Sequence, residues 1–156
     1  WRPDTAPWKA EVQADFWNGD PDIDAICRME HAPECTFDDR LFPIASHKPS
    51  PFNSQNTFLK ASVIPDYFMF PFVGRMDDIW ASFFVQSRGF KVIYGKASVT
   101  QVRSGHDLTK DMKAEYMGYE MNDKLAKSIT QDPGVLMNCL PPRSEEAFHA
   151  YQECFQ

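Results

Sequence analysis

The stretch from residue 77 to residue 102 constrains the fold most, because its periodicity changes from helical to extended. Apolar side chains recur on one face of a helix that begins at Asp77, and Gly89 stands where a helix-terminating glycine belongs. These side chains are Ile79, Trp80, Phe83 and Phe84. Two strand-like runs follow, at residues 90–94 and 98–102. This alternation predicts a mixed α/β or α+β fold with few strands, similar to the second half of a layered nucleotide-binding fold.

The sequence before this helix indicates a mixture of short elements and loops. Residues 1–21 read as an ordered loop or short-helix region, with a helical turn around Lys9–Phe16. Strands are predicted at Asp22–Met29 and at Phe52–Leu59, with a long irregular connection between them. The apolar run Tyr67–Val73 contains a proline and is expected to pack over the core as a loop.

The part after residue 102 is predicted to be helical. The spacing of Ser104 and Asp107 fits a capping box before a helix whose apolar pattern runs to residue 129, with a break at Gly118. A last helix is expected at about Ser144–Phe155, so that residues 143–156 form a C-terminal helical tail.

Composition narrows the class of protein. The chain of 156 residues, 43% of them hydrophobic, is expected to form one domain over residues 1–156. A formal charge of −6 argues against nucleic acid as a partner, and no apolar run is long enough for a membrane segment. The four cysteines form no CxxC pair, so we expect reduced thiols in a cytoplasmic protein. The start at Trp1 suggests a piece of a longer protein.

Asp77 and Asp78 are the first candidate functional residues. One carboxylate at a helix start is explained by capping of free backbone N–H groups, but two adjacent carboxylates repel each other. The second is therefore a candidate to act as a general base or to orient an acceptor hydroxyl.

Three amides, Asn53, Gln55 and Asn56, form the second candidate group. In a strand, Asn53 and Gln55 would share one face while Asn56 faces the other. An amide offers a donor and an acceptor in one plane, which suits sugar hydroxyls. The alternative is a strand whose polar side chains simply face water.

Two weaker patterns concern metal and phosphate. The run Asp20–Asp24 resembles a DxD metal motif, but it reads better as a turn that leads into a strand. His106 is a candidate metal or phosphate ligand and Arg103 a candidate phosphate ligand. The alternative is an exposed histidine beside an arginine that pairs with Asp107.

Four segments, read in order, resemble a known family: GDPDIDAICRM (19–29), PFNSQNTF (51–58), GRMDDIWASF (74–83) and QVRSGHDLTKDMKAEYMGY (101–119). They are similar to the reversibly glycosylated polypeptides of plants, which act as UDP-arabinopyranose mutases, and to the STELLO-type glycosyltransferases. The resemblance covers roughly residues 17–125. It implies a partial GT-A-like mixed sheet flanked by helices, with the N-terminal nucleotide-binding half missing from this chain.

The resemblance also implies partners and roles. A UDP-sugar and a carbohydrate acceptor would bind, and a divalent cation, Mn²⁺ or Mg²⁺, would be held mainly by residues absent from this chain. Asp77 and Asp78 would be catalytic, Arg75 and Arg103 would compensate phosphate charge, and His106 lies near a late metal ligand. Substrate-binding roles fall to Asn53, Gln55, Asn56 and Trp80.

Three functions are therefore expected. The first is a glycosyltransferase-like protein that acts on a UDP-sugar, of which this chain is the acceptor-side part. The second is a UDP-sugar mutase that interconverts pyranose and furanose rings. The third is a carbohydrate-binding module without turnover. The sequence leaves an oligomer open.

Overall fold

One mixed sheet organises the computed structural model, which describes residues 9–156 and the backbone of Arg2–Pro3. Its strands are β1 (Arg2–Pro3), β2 (Val12–Gly19), β3 (Ile44–Ala45), β4 (Thr57–Leu59) and β5 (Val92–Gln101). Their order is β1-β3-β5-β2-β4. Only β2 and β5 run parallel, with an irregularity between Asp15 and Trp17, and the other neighbours pair antiparallel. Four of the strands lie within residues 9–156.

Helices flank this sheet. They are α1 (Ala25–Glu30), α2 (Asp77–Ser87), α3 (Leu108–Ser128), α4 (Gly134–Met137) and α5 (Pro142–Glu153). Short 3-10 segments lie between several of them, and one of these, Gly74–Met76, leads directly into α2. In the described part of the chain, no helix is long and apolar enough to cross a membrane.

Helix α2 lies at the centre of the packing. Every residue from Trp80 to Val85 is buried. Val85 packs with sheet residues such as Val12 and Tyr94, whereas Trp80 packs with side chains of the later helices, including Leu125 and Phe148. A helix that is buried all round must satisfy its polar groups internally, and this requirement shapes the site described below.

The helical predictions after residue 77 are confirmed with small changes. Gly89 follows α2 with a φ of 89°, as a glycine after a helix does. The predicted strand runs 90–94 and 98–102 form the single strand β5. Helix α3 continues without a break through Gly118. The missing side chain there leaves room for the sulfur of Met76, which would lie 2.3 Å from an added Cβ. Asp107, not Ser104, caps α3 by accepting the N–H of Lys110.

Two predictions before α2 are wrong. The predicted helical turn at Lys9–Phe16 is instead the start of β2, where Val12 and Ala14 are buried between neighbouring strands. The predicted strand Asp22–Met29 is helix α1, because Asp24 caps it by accepting the N–H of Cys27. The remaining prediction for residues 1–21 lies partly outside the described residues.

The strand predicted at Phe52–Leu59 is mostly wrong as well. Only Thr57–Leu59 forms a strand of the sheet; Gln55 and Asn56 before it form a turn, and Asn53 lies in irregular chain. Side chains of α2 bind the backbone N–H groups of Ser50, Phe52 and Ser54, and the carbonyl of Asn56 accepts the N–H of Asp15 in β2. Tyr67–Val73 forms no strand, as predicted, and Phe70 within it is fully buried.

Gly74→Ala should destabilise the fold severely. Gly74 has a φ of 67°, and an added Cβ would lie 1.9 Å from the carbonyl oxygen of Ala114 in α3. We expect a loss of at least about 3 kcal/mol in urea unfolding. Gly89→Ala is the matched control: its φ of 89° is equally unfavourable, but nothing lies within 4 Å of the new Cβ. It should cost about 1–2 kcal/mol, and equal losses for the two variants would contradict the steric argument.

Candidate functional site

The candidate site lies where the parallel strands β2 and β5 end side by side. Gly19 pairs with Gln101 at this end of the sheet. The loop after β2 carries Asp22, and the segment after β5 carries Arg103, whose guanidinium donates to the Asp22 carboxylate. Ligands of open α/β sheets characteristically bind beyond the carboxyl ends of such strands.

Asp22 is the point at which the polar side chains of the site meet. Its Oδ2 accepts from Asn53 Nδ2 at 3.2 Å and from Gln55 Nε2 at 3.1 Å. Its Oδ1 accepts from Arg103 and lies 3.9 Å from Arg75 Nη2. Four donors from three separate parts of the chain therefore surround one carboxylate.

Arg75 extends this cluster to helix α3. Its Nη1 lies 3.3 Å from Asp111 Oδ1, and its Nε lies 3.1 Å from Glu115 Oε1. His106 Nδ1 lies 3.1 Å from the other oxygen of Asp111. The buried Glu115 also accepts the N–H of Ala25 at the start of α1, so it ties α1 to α3. The arginines predicted to compensate phosphate are thus paired with carboxylates of the chain itself.

Segment 50–54 is fixed by three side chains of α2 that recur every four residues, here called the polar stripe: Asp78, Ser82 and Gln86. Each accepts the backbone N–H of an alternate residue of the segment. The bonds are Ser54 N to Asp78 Oδ2 at 2.7 Å, Phe52 N to Ser82 Oγ at 3.2 Å and Ser50 N to Gln86 Oε1 at 3.0 Å.

Simple geometry explains the match between the polar stripe and the segment. Four residues of an α-helix rise about 6 Å, and two residues of extended chain span about 6.6 Å. Alternate N–H groups of the segment can therefore meet every fourth side chain of the helix. The residue between two such anchors, Asn53, keeps its side chain for other contacts, and it reaches Asp22.

A cavity of about 210 Å³ lies beside this segment. Aromatic residues line it: Phe16, Trp17, Phe52 and Tyr94. Asp22 and Asn53 also line it. The combination of ring faces with carboxylate and amide groups suits a small polyhydroxylated ligand, whose ring packs on aromatics while its hydroxyls bind the polar groups.

The paired acids of α2 lie beside the cavity rather than in it. Asp78 holds Ser54 through the backbone N–H and the hydroxyl, at 2.7 and 2.9 Å. Asp77 accepts the N–H of Asp78 at 2.9 Å. Neither acid lines the cavity, whereas the next residue, Ile79, does. Burial, together with the neighbouring charge of Asp78, raises the pKa of the Asp77 carboxyl above its ordinary value.

Two other predicted site residues lie apart from Asp22. Asn56 donates to the carbonyl of Phe16 at 3.1 Å and to the hydroxyl of Ser98 at 2.9 Å. Trp80 is fully buried, and its indole N–H donates to Asn122 at 2.8 Å, so it presents no surface to a ligand. The structure thus brings together Asn53, Gln55, Arg75 and Arg103.

The acids of the Asp20–Asp24 run do not converge on one point. Asp20 pairs with Arg28 at 2.8 Å, Asp22 forms the centre of the site, and Asp24 caps α1. Within residues 9–156, no group of three or more His, Cys, Asp or Glu side chains is placed to hold a metal ion. The cation that the family resemblance implies, held mainly by residues absent from this chain, stays a prediction, and His106 contacts Asp111.

Sequence reasoning missed Asp22 as the centre of the site. It lies in a turn, as expected, but its role depends on donors that are 31, 33 and 81 residues away along the chain. The available signal was the alternation of three acids around Pro21 and Ile23, which a simple turn does not need.

No protein-family model matches this chain, and no curated protein matches it significantly. The resemblance to reversibly glycosylated polypeptides and STELLO-type proteins is therefore still a prediction. The fold itself is a mixed α/β arrangement of helices around a mixed sheet.

Ser82→Ala should destabilise the fold by about 1–3 kcal/mol, because the buried N–H of Phe52 would lose its acceptor. Ser87→Ala is the matched control on the same helix: the Ser87 hydroxyl donates only to the carbonyl of Phe84 at 2.6 Å. The control should change stability by no more than about 0.5 kcal/mol. Urea unfolding of both variants measures the difference, and equal effects would argue against the anchoring role of the polar stripe.

Asp77→Asn should gain stability relative to the wild type as the pH rises. The folded protein raises the pKa of Asp77, so folding favours its neutral form, and ionisation costs stability as the pH passes the folded pKa. Melting temperatures of both proteins between about pH 3 and pH 7 measure this trend. Glu146→Gln removes an exposed carboxylate of α5 and is the control for the loss of one negative charge. A difference for Asp77→Asn that shrinks as the pH rises would contradict the sign.

Proposed function

We propose that this chain handles the sugar of a UDP-sugar as part of a glycosyltransferase-like enzyme with a GT-A-like fold. The observation that carries the proposal is the cavity lined by Trp17, Phe52, Asn53 and Asp22, which lies along the middle of β2 and reaches Asp22 just beyond the carboxyl end of that strand. The family resemblance of the four sequence segments supports the same conclusion. The activity would belong to the cytoplasm, in keeping with four free cysteines.

The size of the cavity favours one sugar ring over a whole nucleotide sugar. Pockets that enclose drug-sized ligands typically measure about 300–1,000 Å³, and this cavity measures about 210 Å³. The uridine and the divalent cation would then contact residues outside this chain, as the resemblance implies. The proposal therefore assigns no step to the cation.

The residues of the site have distinct roles in this proposal. Asn53 binds hydroxyls of the sugar directly, since it lines the cavity. Asp78 positions Asn53 by fixing Ser54. Asp77 is the candidate general base, because a carboxyl with a raised pKa accepts a proton more effectively than an ordinary one.

A carbohydrate-binding module without turnover is the second candidate. It is favoured by the position of Asp77 and Asp78, which lie beside the cavity rather than in its lining. A UDP-sugar mutase is the third candidate, and like the first it would act on the sugar of a UDP-sugar. Product analysis separates it from a transferase, since a mutase changes only the ring form of the sugar and needs no acceptor.

Asn53→Ala should weaken sugar binding by about tenfold, the effect of one lost hydrogen bond in a small site. Isothermal titration of the full chain with free monosaccharides, and with UDP-sugars plus Mn²⁺, measures the change. Gln131→Ala, an exposed amide in the turn after α3, is the control and should bind like the wild type.

The pattern of heats in the complete protein distinguishes the candidates, because the uridine would contact residues outside this chain. Heat that requires the nucleotide favours the enzyme, whereas heat with free glycan alone favours the module. Unchanged sugar binding by Asn53→Ala would refute the site itself. Wild-type sugar transfer by both Asp77→Asn and Asp78→Asn in the complete protein would refute the catalytic roles.

A further inference from the structure

The donors around Asp22 form a set that suits an oxyanion better than a structural ion pair requires. Two guanidinium groups and two amide groups approach one carboxylate. The nitrogens of guanidinium and amide groups donate hydrogen bonds and do not accept them. Such donors are typical partners of phosphate oxygens. An ion pair that merely joins two loops would need only one of these donors, the guanidinium of Arg103.

Arg103 is the largely buried cation among the four donors around Asp22. Its side chain is 12% exposed, and within residues 9–156 its ion pair is with Asp22. Arg75, in contrast, also pairs with Asp111 and Glu115. If the carboxylate of Asp22 moved away, the guanidinium of Arg103 would be a largely buried cation without a counter-charge. Such a group attracts an anion from solution strongly.

Asp22 is placed so that it can be exchanged. It lies in the irregular loop between β2 and α1, and it lines the cavity. Two of its donors, in contrast, are anchored: Arg75 lies in the segment that leads into α2 and is tied to α3, and Asn53 lies between two bonds of the polar stripe. Arg103 and Gln55 lie outside helices and strands. An acid on a loop thus fills a site of which Arg75 and Asn53 form the fixed walls.

We propose that Asp22 occupies an oxyanion site and that a phosphate group of the ligand replaces it there. Arg103, Arg75, Asn53 and Gln55 then bind the phosphate oxygens, and the Asp22 carboxylate turns to solvent. The contact is autoinhibitory, since the ligand must displace an internal anion before it binds. The identification of that phosphate with the diphosphate of a UDP-sugar rests on the proposed function; the oxyanion site does not.

The test removes the internal anion and keeps its size. Asp22→Asn in the full chain should bind pyrophosphate about tenfold or more tightly than the wild type, the effect expected of a charge-assisted contact. Titrations at constant ionic strength with inorganic phosphate, pyrophosphate and UDP separate a simple anion site from one that also recognises the nucleotide. Asp38→Asn is the matched control, because Asp38 also pairs with an arginine, Arg40, but on an exposed loop. It should leave the affinity unchanged.

A second variant tests which cation binds the anion. Asp22→Asn combined with Arg103→Gln should lose the gain, since the buried guanidinium is gone. Circular dichroism and thermal melting establish that each variant is folded. The wild-type chain supplies a measurement that needs no Asp22 variant: pyrophosphate should raise its melting temperature, and Arg103→Gln should remove this response.

The outcomes decide each proposal separately. If folded Asp22→Asn binds pyrophosphate no more tightly than Asp38→Asn, the exchange is overturned and Asp22 is a structural ion pair. If Asp22→Asn does not fold and pyrophosphate leaves wild-type melting unchanged, the exchange is overturned as well. A gain for pyrophosphate without any binding of UDP or sugar leaves the oxyanion site standing and refutes the proposed function. If sugar binding depends on Asn53 but Asp22→Asn does not bind pyrophosphate more tightly, the proposed function stands and the oxyanion site is refuted.

Discussion

The hydrogen bonds between the polar stripe of α2 and segment 50–54 support the rest of the structure around the site. Helix α2 is buried on all sides, so its polar side chains need internal partners, and the backbone of the segment supplies them. The hydroxyl of Tyr94 donates to the carbonyl of Ser50 at 2.6 Å and so joins the same segment to β5. Helix, segment and sheet are thereby fixed as one unit.

The site follows from this arrangement. A segment anchored at alternate residues presents the side chain between two anchors to the cavity, and Asn53 is that side chain. The ends of β2 and β5 bring Asp22 and Arg103 to the same place. Three carboxylates, those of Asp22, Asp111 and Glu115, face the two guanidinium groups of Arg75 and Arg103, so the displacement of one carboxylate changes the charge balance of the site.

Some of this could be predicted from the sequence, and particular residues show why. The apolar spacing of α2 and the glycine that ends it are local signals, so helix α2 and strand β5 were predictable. The amides at positions 53 and 55 are predicted to bind a sugar from a shared strand face, yet Asn53 lies in the segment that α2 anchors and Gln55 lies in a turn. The run that contains Asp22 reads from the sequence as a turn leading into a strand. The role of Asp22 could not be predicted, because its partners are far away in the sequence and short-range patterns do not encode such contacts.

The sequence by itself determined the class of fold, the position of the central helix and the concentration of polar residues before and at its start. Those features depend on neighbours within about one or two helical turns, which periodicity and capping rules describe. Only the tertiary structure decided that Asp78 anchors a backbone segment, that Trp80 is buried, and that Arg75, Arg103 and the amides meet at Asp22. These contacts arise because distant segments satisfy one another's buried polar groups, and that pairing is settled only when the whole chain has packed.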